Sequence, residues 1–256
     1  MLRSCNPTPP YLYPQREAHA PFFETLERNV EARYHQLEQV FKEAGLTENP
    51  LEILDAQVGT SLNGGAFVNF KTSRIIPFSV AEINEVALML SKNAAIMNLT
   101  GGTSQIFKQT EKSLAYQKQF ELSGVRINVR GVSKRYHEKN GRTVVIWNGV
   151  SEWPSKSTGQ IIAIEEKGWV SVKPYPQSRK SSKVASSPVS LLQSYVYMTP
   201  DSTESATTIS KEATQSDHVA ILSDVVLPLY KQIFKARRQI MENTLLERSI
   251  QRRLRT

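Results

Sequence analysis

Hydrophobic spacing along the chain alternates between helical and strand periods, and each switch marks a new element. From Pro21 onward, Phe23, Leu26, Val30, Tyr34, Leu37, Val40 and Phe41 recur three and four positions apart, which puts them on one helical face. Gly45 stands where such a helix stops in the left-handed conformation, so the pattern predicts a helix over 21–44. Ile53 to Val58 and Phe67 to Ile76 read as strands flanking the Asn63-Gly64-Gly65 turn, built of residues that tolerate positive φ. Pro77 ends the second strand. Ser79 and Glu82 then have capping-box spacing ahead of Val80, Ile83, Val86, Ala87 and Leu90, which predicts a second helix over 80–92.

The middle of the chain alternates. Leu114, Tyr116, Lys118 and Phe120 are followed by a turn at Gly124 and by Val125, Ile127 and Val129, an antiparallel meander. Asn140-Gly141 is the strongest local hairpin signal and leads into a strand at Thr143 to Trp147. Further strands are expected at about 160–173 and 189–198, separated by polar inserts, Pro174 to Pro188 and Thr199 to Gln215, that read as mobile loops. From Ser216, the residues Leu222, Val226, Leu229, Ile233, Ala236 and Ile240 lay an apolar stripe along a long helix, with Asp217 in its first turn and Arg248 near its end to suit the dipole. Pro228 lacks a backbone donor and is expected to kink that helix. The order predicts an α+β domain, a curved antiparallel sheet packed against a long C-terminal helix. Such a sheet can enclose an apolar cavity.

At 256 residues with 39% hydrophobic content, the chain suffices for one domain with a real core. Residues 1–20, rich in Pro and Tyr, read as a flexible arm, 21–248 as the domain, and 249–256 as a basic tail. No apolar run of about 18 residues occurs, and Pro7, Pro9, Pro10 and Pro14 stand where a signal peptide needs an apolar core. An intracellular protein, cytoplasmic or nuclear, is expected. The single cysteine, Cys5, excludes an intrachain disulfide and a multi-cysteine metal cluster. The formal charge of +8 is uneven: residues 1–60 carry 5 basic and 9 acidic side chains, −4, leaving +12 for the rest. Arg179, Lys180 and Lys183 in the first insert, and Arg248, Arg252, Arg253 and Arg255 at the end, are candidate contacts to an anionic membrane or nucleic acid. Neither group interleaves aromatics for base stacking.

Catalytic patterns are poor. His19, His35, His137 and His218 have no metal-ligand spacing, and Gly-x-Ser-x-Gly is absent. Gly101-Gly102-Thr103-Ser104 lacks the Gly-Lys-Ser/Thr of a P-loop. No catalytic residue, metal or cofactor is expected. The inward face of the last helix supplies Leu222, Val226, Leu229 and Ile233, and the strands supply Tyr116, Phe120, Val145, Trp147, Trp169 and Tyr195. These side chains either line a cavity or fill a core. Arg135 and Glu152, on neighbouring strands, form either a buried pair that fixes the polar end of an apolar ligand or an exposed cross-strand pair.

Several segments, taken in order, resemble the START-like family of oomycetes known as mating-specific proteins. They are Arg135-Tyr136-His137-Glu138, Arg142-Thr143-Val144-Val145-Ile146-Trp147, Glu152 and Glu166-Lys167-Gly168-Trp169-Val170. Ile76-Pro77-Phe78, Leu192-Gln193-Ser194-Tyr195-Val196 and Met241-Glu242-Asn243 add to them, and the resemblance covers about 21–248. It implies a helix-grip fold that binds a lipid, a sterol or another apolar small molecule without catalysis. The helix over 21–44 is acidic where a DNA-reading segment is basic, and Asn148-Gly149 replace an expected basic side chain. The competing expectation is a regulatory protein- or nucleic-acid-interaction module with a filled core; cyclase-like chemistry is a third.

Overall fold

Period-two alternation is realised in eight strands of one antiparallel sheet, in the order β1-β2-β8-β7-β6-β5-β4-β3. The structure is a computed structural model that describes residues 20–47, 52–92, 102–154, 161–176, 188–200 and 211–254. Helices α1 (Ala20–Tyr34) and α2 (Leu37–Glu43) precede β1 (Ile53–Thr60) and β2 (Ala66–Ile76). Helix α3 (Val80–Lys92) leads to the meander β3 (Thr103–Gln109), β4 (Ser113–Leu122), β5 (Val125–His137), β6 (Thr143–Pro154), β7 (Ile161–Pro174) and β8 (Ser190–Pro200). The chain ends in α4 (Lys211–Ile221), a π-helical turn (Leu222–Val226) and α5 (Leu227–Arg253). A curved antiparallel sheet packed on a long C-terminal helix is the expected arrangement.

Both faces of the sheet are covered, which explains why so many strand residues are apolar on both sides. On one face lie α4, the π turn and the start of α5, where Leu222, Val226, Leu229, Tyr230 and Ile233 pack on Val68, Phe70, Val196 and Met198. On the other, Phe23, Leu26 and Val30 of α1 and Leu37 and Phe41 of α2 pack on Ala115, Val132, Val144, Ile146 and Trp169. A third cluster, Ile76, Ile83, Val86, Val172 and Leu245, holds α3 against the far end of α5. Burying each such side chain contributes roughly 1.5–3 kcal/mol before the cost of ordering it.

Several expected elements are reshaped. The helix expected over 21–44 is two helices: a turn at His35 and Gln36 breaks it, with the Gln36 amide donating to the Arg33 carbonyl at 3.1 Å. The break swings Leu37 and Phe41 onto the sheet. Gly45 ends α2 at φ +71°, as its position implied. Thr103 and Ser104, read as part of a glycine-rich loop, instead open the edge strand β3. The C-terminal helix starts before Ser216, at Lys211. Pro228 does not break it; the π turn ends two residues earlier and Pro228 sits in the first turn of α5. Widening to i→i+5 bonding makes room for the proline ring where an α-helix would present a carbonyl four residues back. Helix α5 runs on through Ser249 to Arg253, so most of the expected tail is helical. Residues 1–19 of the arm, Arg255 and the basic group Arg179, Lys180 and Lys183 lie outside the described residues, as does most of both polar inserts.

Candidate functional site

Strand register decides which side chains face the C-terminal helix. Tyr116 stands opposite Gly131, Phe120 opposite Ile127, Arg135 opposite Val145, and Trp147 opposite Gly168. All of these lie on the face that carries α5. Trp169 and Tyr195 are one residue out of phase with that set and project from the opposite face. There the two rings pack together 6.0 Å apart, and the Trp169 indole donates to the Arg33 carbonyl at 3.2 Å. The expected Arg135–Glu152 pair is not formed. Glu152 stands opposite Asn128, seven residues from Arg135 along β5, and alternation turns it to the α1 face. It accepts from Asn128 at 3.0 Å and pairs with Arg130 at 3.3 Å.

The space between the sheet and the C-terminal segment has two parts. The closest backbone approaches of that segment are to β1 and β2, and on this side the interior is filled: Val68, Val196, Met198, Leu222 and Val226 are all 0% exposed. Leu222, Val226, Leu229 and Ile233 therefore belong to core. Over β4, β5 and β6 the same face is only half-buried, at Tyr116, Phe120, Ser133, Arg135, Val145 and Trp147. These side chains form a half-buried, partly aromatic patch on the face of the sheet that carries α5.

Three glycines shape its floor. A Cβ on Gly168 would fall 2.0 Å from Cζ2 of Trp147, and one on Gly131 would fall 2.9 Å from the Tyr116 hydroxyl. Both rings thus lie down on bare backbone. A Cβ on Gly149, paired with Gly131, would fall 2.9 Å from the Arg130 carbonyl oxygen of β5. With its ring held flat over Gly168, the Trp147 indole donates to Glu166 Oε1 at 2.6 Å. The Tyr230 hydroxyl of α5 donates to the same oxygen. Glu166 is thereby a buried carboxylate that ties sheet to helix. Sequence reasoning missed it because Glu165-Glu166-Lys167 reads as a solvated run; its position between two apolar alternating residues, Ile164 and Gly168 on the inward phase, was the available signal.

Electrostatics mark the same place. Burial, reinforced by Glu166, raises the Tyr116 and Tyr230 hydroxyls above the usual phenol range, so both stay protonated donors. Lys118, on β4 with its Nζ 4.6 Å from the centroid of the Tyr116 ring, is pulled down to about 8 by burial and then by Arg237 of α5. Desolvation also lowers Arg135, whose Nε is buried without a hydrogen-bond partner among the described residues. Lys118 and Tyr116 are sunk deeply enough for desolvation to govern them, yet part of each stays accessible.

Two other expected features fall elsewhere. Arg248 and Arg252 are turned inward to α3, Arg248 to Glu85 at 2.5 Å and Arg252 to Glu82 at 2.5 Å. A pocket of about 430 Å³ lies between β2 with its following loop and α5, lined by Arg74, Phe78, Arg238 and Glu242, away from this aromatic patch. Among the described residues no three His, Cys, Asp or Glu side chains gather as metal ligands, and no helix is long and apolar enough to cross a membrane.

No family model matches the chain, and no curated protein matches it by sequence. Solved structures similar to it include a STAR-related lipid transfer protein from Xanthomonas axonopodis, 12% identical, covering 54% of this chain and 80% of that one at a TM-score of 0.34. Another is the Zhui aromatase/cyclase from Streptomyces sp. R1128, 10% identical, covering 68% and 96% at 0.36. The human StarD13 lipid transfer and protein localization domain is 10% identical and covers 73% and 94% at 0.32. Likenesses at this level carry no argument about this chain, whose architecture rests on the strand pairings above.

Proposed function

We propose that the chain is a non-enzymatic START-like module that binds a lipid or another apolar small molecule between its sheet and its C-terminal helix. One observation carries this reading: the half-buried aromatic floor over β4, β5 and β6, with polar groups converging on it. Concave, mostly apolar surfaces with a few fixed polar groups are what small-molecule sites require. Removing a ligand's apolar surface from water there contributes roughly 25 cal/mol per Å² before ordering costs. The resemblance of the sequence to oomycete START-like proteins supports the same reading.

The test is native mass spectrometry of the protein purified from cells of its own kind, followed by organic extraction of whatever it carries. A stoichiometric apolar molecule supports the module and names its ligand class. The second reading, a regulatory interaction module, draws on the filled β2–β8 half of the interior. A clean protein mass, with nothing taken up from a mixed-lipid challenge, would decide for it.

A further inference from the structure

The pocket of about 430 Å³ between β2, the loop after it and α5 has no part in the ligand site proposed above. Its volume falls within the range of small-molecule sites, roughly 300–1,000 Å³. Its lining divides by chemistry. Ile75, Phe78 and Leu246 supply an apolar wall, with Ile75 and Leu246 left 45% and 54% exposed. Arg74, Arg238 and Glu242 supply a charged wall, with Glu52 beside them. A single oxygen of Glu242, Oε1, accepts from Nη1 of Arg74 and, at 3.0 Å, from Nε of Arg238. Arg238 comes no nearer to Glu52 than 3.6 Å, too long for a hydrogen bond, and the Glu52 side chain is 71% exposed and screened by water. Among the described residues, neither terminal nitrogen of Arg238 has a hydrogen-bonded acceptor. Two guanidiniums thus share one close carboxylate, next to an uncovered apolar wall.

We infer that this pocket binds a compact ring system bearing one anionic group, with the anion on Arg238 and the ring against Ile75, Phe78 and Leu246. A guanidinium is a planar fork of donors that matches the oxygens of a carboxylate or sulfonate. Glu242 holds the fork by its Nε edge and so orients it before a ligand arrives, which lowers the cost of binding. Arg74, nearly buried behind the same carboxylate, leaves one positive charge in excess at the inner wall. That excess favours an anion, whereas a cationic ligand would have to compete with two arginines for Glu242. The volume suits a compact ring more than a long acyl chain. The inference is independent of the site over β4 to β6, because the two share no residue.

The experiment titrates the full chain at pH 7 with 1-anilinonaphthalene-8-sulfonate and with N-phenyl-1-naphthylamine, the same ring system without the anion, and reads probe fluorescence. The wild type is expected to bind the sulfonate about fivefold more tightly than the neutral amine, the size of a hydrogen bond to charge at a partly exposed site. Arg238→Gln should bring the two affinities together. Leu246→Trp, whose indole would enter the pocket from an exposed position, should weaken both by at least about tenfold. Both positions are exposed, and cooperative urea unfolding of each variant checks that the fold is kept. Lys231→Gln, an exposed cation of α5 outside the pocket, and Ser133→Trp in the aromatic patch should leave both affinities unchanged. Equal affinities in the wild type, a preference that survives Arg238→Gln, or an equal loss in Lys231→Gln overturns the anion assignment. Binding lost in Ser133→Trp but kept in Leu246→Trp puts the probe in the aromatic patch, which overturns this inference and supports the site proposed above. No binding of either probe overturns it as well.

Discussion

Lys118 costs the folded chain stability, and the cost can be read from pH. Its Nζ lies over the Tyr116 ring, Arg237 of α5 opposes its charge and Glu166 of β7 favours it. Burial and Arg237 lower its amine from 10.5 to about 8, so between those values the unfolded chain holds more protons than the folded one. Stability contributed at this site therefore rises with pH across that window, and the full penalty acts below about 8. Lys118→Met is expected to stabilise the protein at pH 7 by about 1–2 kcal/mol, discounted for the part of the side chain that water reaches. The gain should shrink by pH 9.5, as urea titrations at the two pH values would measure. A variant less stable at pH 7 would mean that the ammonium has a compensating partner. Gly168 gives a second prediction at this scale. Alanine there would place a methyl 2.0 Å from the Trp147 ring, lift the ring and break its bond to Glu166. The expected cost is about 2–4 kcal/mol, and an unchanged urea midpoint would show that Trp147 does not need the bare backbone.

Among the elements, α3 shows how a local signal in sequence acquires a tertiary role. Glu82 accepts from the Ser79 amide and hydroxyl, both at 2.8 Å, and also from Arg252 of α5 at 2.5 Å. Burial pushes this carboxyl upward, but the bonds from Ser79 and Arg252 outweigh it and hold the group below its ordinary value. A lowered carboxyl stabilises the fold above the unfolded value of 4.5 and loses that contribution as pH falls through the folded value. Glu82→Ala should thus cost about 1–2 kcal/mol at pH 7, with the gap to wild type closing as the solution is acidified below pH 4.5. A gap that persists in acid would mean that the side chain acts through packing. This capping box was legible because its chemistry spans three residues. So was the register of β5 on β6: a hairpin centred on Asn140 sets residues equidistant from it opposite one another. That geometry alone puts Arg135 opposite Val145 and Glu152 opposite Asn128, and separates the expected pair. Strand β3 was hidden because it is an edge strand exposed along most of its length, with only Ile106 and Phe107 as large apolar residues. The phase of Trp169 and Tyr195 was hidden too. It depends on how β7 pairs with β6, and no short turn fixes that register.

For the whole molecule, the division of its interior determines where a blocking substitution can act. Val226 is 0% exposed in a core shared by the π turn, β2 and β8. A tryptophan there has no space to enter, and overpacking would disrupt the fold before it reported on a ligand. Ser133 is the better position. It is half-buried on the α5 face, opposite Trp147 of β6 and Leu114 of β4, and among the described residues makes no side-chain bond that the change would orphan. An indole at Ser133 can lie with its face against Trp147, occupying the volume the proposed ligand would need while adding apolar contact. Ser133→Trp is therefore expected to keep its melting temperature within about 3 °C of wild type, a change of about 1 kcal/mol for a chain of this size. It should also lose at least about tenfold in affinity for cis-parinaric acid, the difference made by roughly 1.4 kcal/mol of lost burial. Val226→Trp should instead lose cooperative melting. If the folded Ser133 variant takes up the probe as well as wild type, the aromatic floor over β4 to β6 is not where ligand sits, and the interaction module becomes the better account of the same fold.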